Sequence, residues 1–179
     1  MELKQRADGT IYFTEPDTYP TVLMCTPDES CNMNKTEPKV FFEKIVSEAV
    51  LPERKTKGSA GMDLCAIDYY ELIPGKWQLV PTGLKVQIPE GYEGQIRPRS
   101  GMACNKGVTV LNAPGTIDND YRGEIKVCLI NHSPDMVNIC PGDRIAQLVI
   151  APVAFLEVEE VTRLDDTERG TGGFGSTGK

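Results

Sequence analysis

The chain is poor in the side chains that most hydrolytic and metal-binding machinery uses. Its 179 residues hold one histidine, and that residue, His132, sits against the turn signal Ser133-Pro134. A Ser-His-Asp triad has no base to work with, and a histidine-rich metal site has no ligands. The six cysteines, Cys25, Cys31, Cys65, Cys104, Cys128 and Cys140, are scattered with no C-x-x-C spacing. That removes the paired ligands of a structural zinc site and points to single packed thiols in a reducing compartment. Only Cys25 and Cys31 are close in sequence, too weak a signal to predict a disulfide. Basic residues are outnumbered, 19 against 26 acidic, for a net charge of −7. Direct nucleic-acid binding is therefore not expected, and an anionic ligand must be held by a local basic pocket. No apolar run approaches the ~18 residues of a membrane span. The opening stretch MELKQRADGT lacks the apolar segment of a signal peptide. These absences predict an intracellular protein, cytoplasmic or nuclear, with no membrane partner.

What is present argues for a folded, turn-rich domain. Hydrophobic residues make up 40%, enough for a core. Glycine and proline together supply 30 of 179 residues, which favours many turns over long helices. Residues 1–38 carry Pro16, Pro20, Pro27 and Pro38 with little periodicity and read as a polar extension of unknown role, with one short strand at Gly9–Thr14. From Val40 the pattern changes. Short apolar or alternating runs recur at Val40–Val46, Gln78–Val80, Leu84–Ile88, Val108–Leu111, Glu124–Ile130, Arg144–Ile150 and Phe155–Val161. Turn signals such as Pro81-Thr-Gly83, Pro89-Glu-Gly91 and Cys140-Pro-Gly142 separate them. Short strands so regularly interrupted predict an all-β sandwich, jelly roll or barrel over residues 39–161, with one helical turn at Gly101–Asn105. Residues 162–179 end in a Gly-rich tail that cannot form a packed element.

Five stretches could carry chemistry. The tail Arg169-Gly-Thr-Gly-Gly-Phe-Gly-Ser-Thr-Gly-Lys179 matches both G-x-G-x-x-G and G-x-x-x-x-G-K. Neither match is followed by the helix that a Rossmann or P-loop needs, so both are rejected. The physical content survives, because successive backbone N–H groups with Ser176 and Thr177 suit a phosphate chain. Arg169 adds charge there and Phe174 a flat face. Arg97-Pro-Arg99-Ser100-Gly101 is either a phosphate clamp or a strand end with solvated arginines. Gly115-Thr-Ile-Asp118-Asn-Asp120-Tyr121-Arg-Gly123 is either a turn capped by its own acids or a rigid display of a carboxylate and an aromatic ring. Ala60-Gly-Met-Asp63-Leu64 is weak alone. Pro141-Gly-Asp143-Arg144-Ile-Ala-Gln147-Leu148 reads in isolation as a turn with a local ion pair.

Taken in order, these stretches closely resemble the five motifs of the homotrimeric deoxyuridine triphosphatases (dUTP diphosphatases), over about Val40 to Lys179. The resemblance implies a distorted jelly-roll β-barrel with a Gly-rich C-terminal arm. It also implies hydrolysis of dUTP to dUMP and pyrophosphate with Mg²⁺, which limits uracil incorporation into DNA and supplies dUMP for thymidylate synthesis. By motif position, Asp118 orients and deprotonates the water that attacks the α-phosphorus. An aspartate is a weak base at neutral pH, so positioning and charge stabilisation must supply most of the rate. Tyr121 packs on the deoxyribose and excludes a 2′-hydroxyl. Backbone groups of Gly115, Thr116, Ile117 and Asp118 read uracil, with Asn112 and Lys126 nearby. Arg99, Ser100 and Gly101 grip the phosphates, and Gln147 reaches the α-phosphate. Arg169, Ser176 and Thr177 hold the γ-phosphate while Gly173, Phe174 and Gly175 close over the base. Asp63 lies near Mg²⁺, through metal-bound water. Three sites are shared among three subunits in this family, and residues 162–172 extend to roughly 35 Å, enough to reach a neighbour. Two other functions fit less well, a dCTP deaminase on the same fold and a catalytically weak nucleotide-binding regulatory module.

Overall fold

A computed structural model of the chain describes residues 2–5, 11–14, 38–173 and 176. The chain divides into two units, Met1–Glu37 and Pro38–Lys179. The described part of the first is an antiparallel pair, β1 (Glu2–Gln5) and β2 (Ile11–Thr14), in the register Glu2↔Thr14. The strand expected at Gly9–Thr14 is met over Ile11–Thr14, and β1 was not anticipated.

The regular structure of the second unit is almost wholly strands: β3 (Phe41–Lys44), β4 (Met62–Cys65), β5 (Tyr70–Leu72), β6 (Trp77–Pro81), β7 (Leu84–Gln87), β8 (Tyr92–Arg97), β9 (Val108–Val110), β10 (Gly115–Ile117), β11 (Lys126–Asn131), β12 (Val137–Ile139) and β13 (Arg144–Pro152). The one helix among the described residues, α1 (Ser100–Lys106), stops at Gly107, whose φ of 63° a side chain would strain. A four-stranded sheet runs β10-β8-β13-β4, a three-stranded sheet runs β6-β11-β9, and β12-β5 and β3-β7 form two-stranded pieces. All pairings are antiparallel. The ladders are jelly-roll-like and do not join into one closed barrel among the described residues.

Alternation decides what goes inside. In β11, Val127, Leu129 and Asn131 are buried while Lys126 faces out. Asn131 is tolerated in the core because its amide donates to the carbonyls of Leu72 (2.8 Å) and Asp135 (2.7 Å), and its oxygen accepts from Ser133 N–H (2.9 Å). Leu64, Val80, Leu84, Leu129, Ile145 and Leu148 fill the same core.

Two departures from the sequence reading have physical causes. Strand β8 was not anticipated, since Glu93, Gln95 and Gly94 break its apolar pattern. Gly94 is required by packing, because a Cβ there would lie 2.9 Å from Ile88 Cδ1 and 3.1 Å from Leu148 Cδ1. The strand expected at Phe155–Val161 is absent. After Pro152 the chain makes one backbone hydrogen bond, Val153 N–H to the Gly91 carbonyl at 2.9 Å, and joins no further ladder among the described residues, leaving Phe155, Leu156 and Val158 exposed. Period-two alternation makes a strand only where an edge is available to pair with.

Candidate active site

The outer face of the four-stranded sheet gathers motifs that are far apart in sequence. Gln147 of β13 stands opposite Asp63 of β4 on one side and Arg97 of β8 on the other. Their neighbours Leu64, Ala146, Leu148 and Ile96 point into the core, so period two turns Asp63 and Gln147 outward together. Asp63 receives two guanidiniums, Arg99 through Nε at 3.1 Å and Arg144 through Nη1 at 2.9 Å. Arg99 Nη1 also donates to the carbonyl of Arg144 at 2.7 Å. The Asp63 side chain keeps only 15% of its exposure, which strengthens both contacts relative to a surface pair. Burial, and next the Asp63 carboxylate, push the neighbouring Cys65 thiol up from its ordinary value, so it is not an activated nucleophile.

Gln147 Nε2 donates to the carbonyl of Pro98 at 2.9 Å. That position needs Gly61, where a Cβ would sit 2.2 Å from Gln147 Oε1 and 3.1 Å from its Cβ. A Gly61→Ala variant is expected to fold but to displace the Gln147 amide and lower kcat/KM for the chain's reaction about tenfold, about 1.4 kcal/mol of transition-state stabilisation. Steady-state kinetics beside a thermal melt would check this, and unchanged kinetics would separate Gln147 placement from activity.

The second group is local. Strand β10 pairs with β8 in the register Gly115↔Ile96 and then turns at Asp118, whose carbonyl accepts Tyr121 N–H at 3.1 Å. Arg122 Nη1 donates to the carbonyls of Asn119 (2.6 Å) and Tyr121 (2.8 Å), which stiffens the turn. The Tyr121 hydroxyl donates to the carbonyl of Glu124 at 3.1 Å. The ring lies so close to Gly123 that a Cβ there would be 2.3 Å from the phenol oxygen. Asn112, Gly115, Thr116, Ile117, Asp118, Tyr121 and Lys126, all expected in the site, line one cleft of ≈ 310 Å³. Glu124 lines it too and was missed. Its carboxylate accepts Gly83 N–H at 2.9 Å and lies 3.7 Å from Lys126 Nζ. Nothing in a single Glu at the head of an alternating strand distinguishes it.

Arg99 and Gly101 line a different cavity, of ≈ 260 Å³, with Arg144, Asp143 and Lys106. No residue lines both cavities. Ser100 is exposed as the first residue of α1. In the arm, Arg169 Nε donates to the carbonyl of Gly172 at 2.8 Å, and Ser176 N–H to that of Gly173 at 3.0 Å. No hydrogen bond of the arm reaches either cavity among the described residues. Phe174, Gly175 and Thr177 lie outside the described residues. Among the described residues no three His, Cys, Asp or Glu side chains converge as a metal cage.

The dUTPase family model matches residues 47–178. The chain belongs to the dUTPase family. It is 57% identical over 141 residues to a deoxyuridine 5'-triphosphate nucleotidohydrolase of Nautilia profundicola, covering 79% of this chain and 99% of the relative. Against the enzyme of the same name from Rhizobium rhizogenes it is 58% identical over 132 residues, 72% of this chain and 85% of the relative. Among solved structures, a mutant of the Staphylococcus bacteriophage 80alpha dUTPase bound to dUpNHpp superposes with a TM-score of 0.73 at 27% identity, covering 79% of this chain and 99% of that one. A mutant dUTPase of phage phi11 of S. aureus, described for its structural Mg(II) ion, gives 0.65 at 25% identity, over 70% of this chain and 97% of that one. The matched span takes in the strand-rich unit from β4 onward and most of its arm, and leaves β3 and the N-terminal pair outside.

Proposed function

We infer that this chain is a hydrolase that converts dUTP to dUMP and pyrophosphate, removing dUTP and supplying dUMP. The observation that carries the reading is the cleft beside β10, where a carboxylate, an aromatic ring and unpaired backbone meet. Strand β10 is the edge of its sheet, so the N–H and C=O groups on its outer side have no ladder partner. They can meet the edge of a pyrimidine as a neighbouring strand would, and Gly115 offers no side chain to obstruct it. Uracil is thus read by Gly115, Thr116 and Ile117, with Asn112 and Lys126 at the rim. Asp118, exposed where β10 ends, is the group that orients the attacking water and takes its proton. The reaction forms a bond from that water's oxygen to the α-phosphorus and releases pyrophosphate. Arg99, Ser100, Gly101 and Gln147 bind the phosphates, and the arm, with Arg169, Gly173, Phe174, Gly175, Ser176 and Thr177, closes over the nucleotide and excludes water.

Magnesium, as the family implies, would be carried mainly by the substrate's own phosphates and by water, which suits its reluctance to lose hydration. Asp63 is the carboxylate expected near it. Both of its oxygens already face guanidiniums, which leaves room for a metal-bound water and little reason for direct ligation.

The working unit we propose is a homotrimer with shared sites. On one chain Arg99 and Gly101 line one cavity and the nucleoside residues line another, so each needs a complement. The outer face of β6 exposes Trp77 and Leu79, with Leu111 beside β9, and Phe155, Leu156, Val158 and Leu164 stand exposed after β13. Large apolar side chains left exposed in this number favour a subunit contact. Leu79 also lines the nucleoside cleft, which supports a contact at the cleft's mouth.

The direct test is pyrophosphate release from dUTP, UTP, dTTP and dCTP with and without Mg²⁺, on protein whose mass is read by light scattering. Fast release from dUTP alone, by a trimer, is the expected result, and no release from dUTP would overturn the reading. Selectivity against UTP should depend on Gly123. A Gly123→Ala side chain must push the Tyr121 ring off its seat, so the UTP:dUTP ratio of kcat/KM is expected to rise about tenfold. An unchanged ratio would show that the ring's seat does not set sugar selection.

A further inference from the structure

The Tyr121 ring has an anchor that its own turn does not supply. The residue is 45% exposed, so packing alone leaves the ring free to swing. Arg122 ties the backbone of the turn, through the carbonyls of Asn119 and Tyr121, and not the ring. Among the described residues the Tyr121 hydroxyl makes one hydrogen bond, to the carbonyl of Glu124 at 3.1 Å. What holds Glu124 therefore holds the ring.

That hold comes from the turn between β6 and β7, 41 residues earlier in the chain. Thr82 and Gly83 are buried there. Gly83 has a φ of +67°, and a Cβ on it would meet Val46 Cγ2 at 2.6 Å and Ala49 Cβ at 2.9 Å, so the turn is packed tightly from behind. The Gly83 carbonyl accepts Ile45 N–H at 2.9 Å. The Gly83 N–H needs an acceptor of its own, since a buried donor left unpaired is costly. Glu124 Oε1 supplies it at 2.9 Å. The next residue completes a clasp. Ile125 N–H donates to the Leu84 carbonyl at 2.7 Å, and the Ile125 carbonyl accepts Thr82 N–H at 3.2 Å and Thr82 Oγ1 at 2.7 Å. The Glu124 side chain keeps only 18% of its exposure, and its Oε2 stands 3.7 Å from Lys126 Nζ.

We propose that Glu124 is a positioning residue for sugar selection, which fixes the Tyr121 ring by fastening its own backbone to the buried Thr82–Leu84 turn. The proposal rests on the reading of this chain as a dUTP hydrolase. A ring rejects a 2′-hydroxyl only while it cannot yield, and one that swings aside admits the extra oxygen at little cost. The clasp depends on the reach of the side chain and not on its charge, because Gly83 N–H asks only for an acceptor.

The test is kcat/KM for dUTP and for UTP, beside a thermal melt, on full-length variants. Glu124→Ala is expected to raise the UTP:dUTP ratio about tenfold. Simple destabilisation would lower both substrates together and leave that ratio alone. Glu124→Gln keeps an acceptor at the same reach, so its ratio should stay within about threefold of wild type. Glu124→Asp keeps the charge but is one methylene short, so it should be as permissive as the alanine variant, and it serves in its place if that variant folds poorly. Tyr121→Phe should raise the ratio by itself, and with Glu124→Ala it should give clearly less than the product of the two single effects. A wild-type ratio in Glu124→Ala and Glu124→Asp would overturn the proposal. So would a glutamine variant as permissive as alanine, which would trace the effect to the charge beside Lys126. A wild-type ratio in Tyr121→Phe, or fully multiplicative effects in the double variant, would refute the route through the ring. A wild-type protein that does not hydrolyse dUTP would instead remove the functional reading beneath the proposal.

Discussion

An Asp118→Asn variant is expected to hydrolyse dUTP about 10²–10⁴-fold more slowly than the wild type. It should still bind a non-hydrolysable analogue within about threefold. Asparagine matches aspartate in size, and the turn it occupies is held by other groups: Tyr121 N–H on the Asp118 carbonyl and the Arg122 guanidinium on the carbonyls of Asn119 and Tyr121. The substitution therefore leaves the cleft's shape alone and removes the carboxylate proposed to take a proton from water. A loss confined to kcat marks an interaction made in the transition state. Single-turnover kinetics with dUTP beside calorimetry with the analogue would decide. Turnover within about tenfold of wild type would show that Asp118 is not the base, and a parallel collapse of affinity would make it a binding group.

Truncation before Arg169 is the second large effect. The core of the second unit is filled by residues from Ala49 to Leu148, so loss of the last eleven residues of the sequence should not touch stability. The arm's hydrogen bonds are local to it among the described residues, which is how a segment waiting for a ligand should look. The truncated protein is expected to melt within about 2 °C of the full chain yet lose about 10²-fold or more in kcat/KM. The lost charged contact of Arg169 with phosphate, at about 1.5–3 kcal/mol, accounts for much of that, and water entry for the rest. Full activity in the truncated protein would refute the arm's role. A large drop in melting temperature would show that the arm belongs to the fold.

Much of this molecule was legible before any coordinate. The turn signals bracket most of the strands, α1 (Ser100–Lys106) forms around the helical turn expected at Gly101–Asn105 and runs one residue further at each end, and β11 buries every second residue as its alternation predicts. The misreadings share one cause. Phe155–Val161 alternates like a strand yet joins no ladder among the described residues, and β8 forms against its own pattern because β10 and β13 flank it. Pairing partners, which a local pattern cannot name, settle both. Glu124 went unseen for the same reason, because its partner Gly83 is 41 residues away.

Residue order alone determined the family and the class of chemistry, because each motif is a short run whose residue types must stand together to do their work. Tertiary structure decided how those runs meet. Strand register sets Asp63 beside Gln147 and within reach of Arg144, 81 residues along the chain, and makes β10 a free edge with its backbone turned to the cleft. It also gives the arginines and Asp118 separate cavities. A shift of one residue in that register would turn the whole polar row into the core, and no inspection of the motifs one at a time could have told which row would face out.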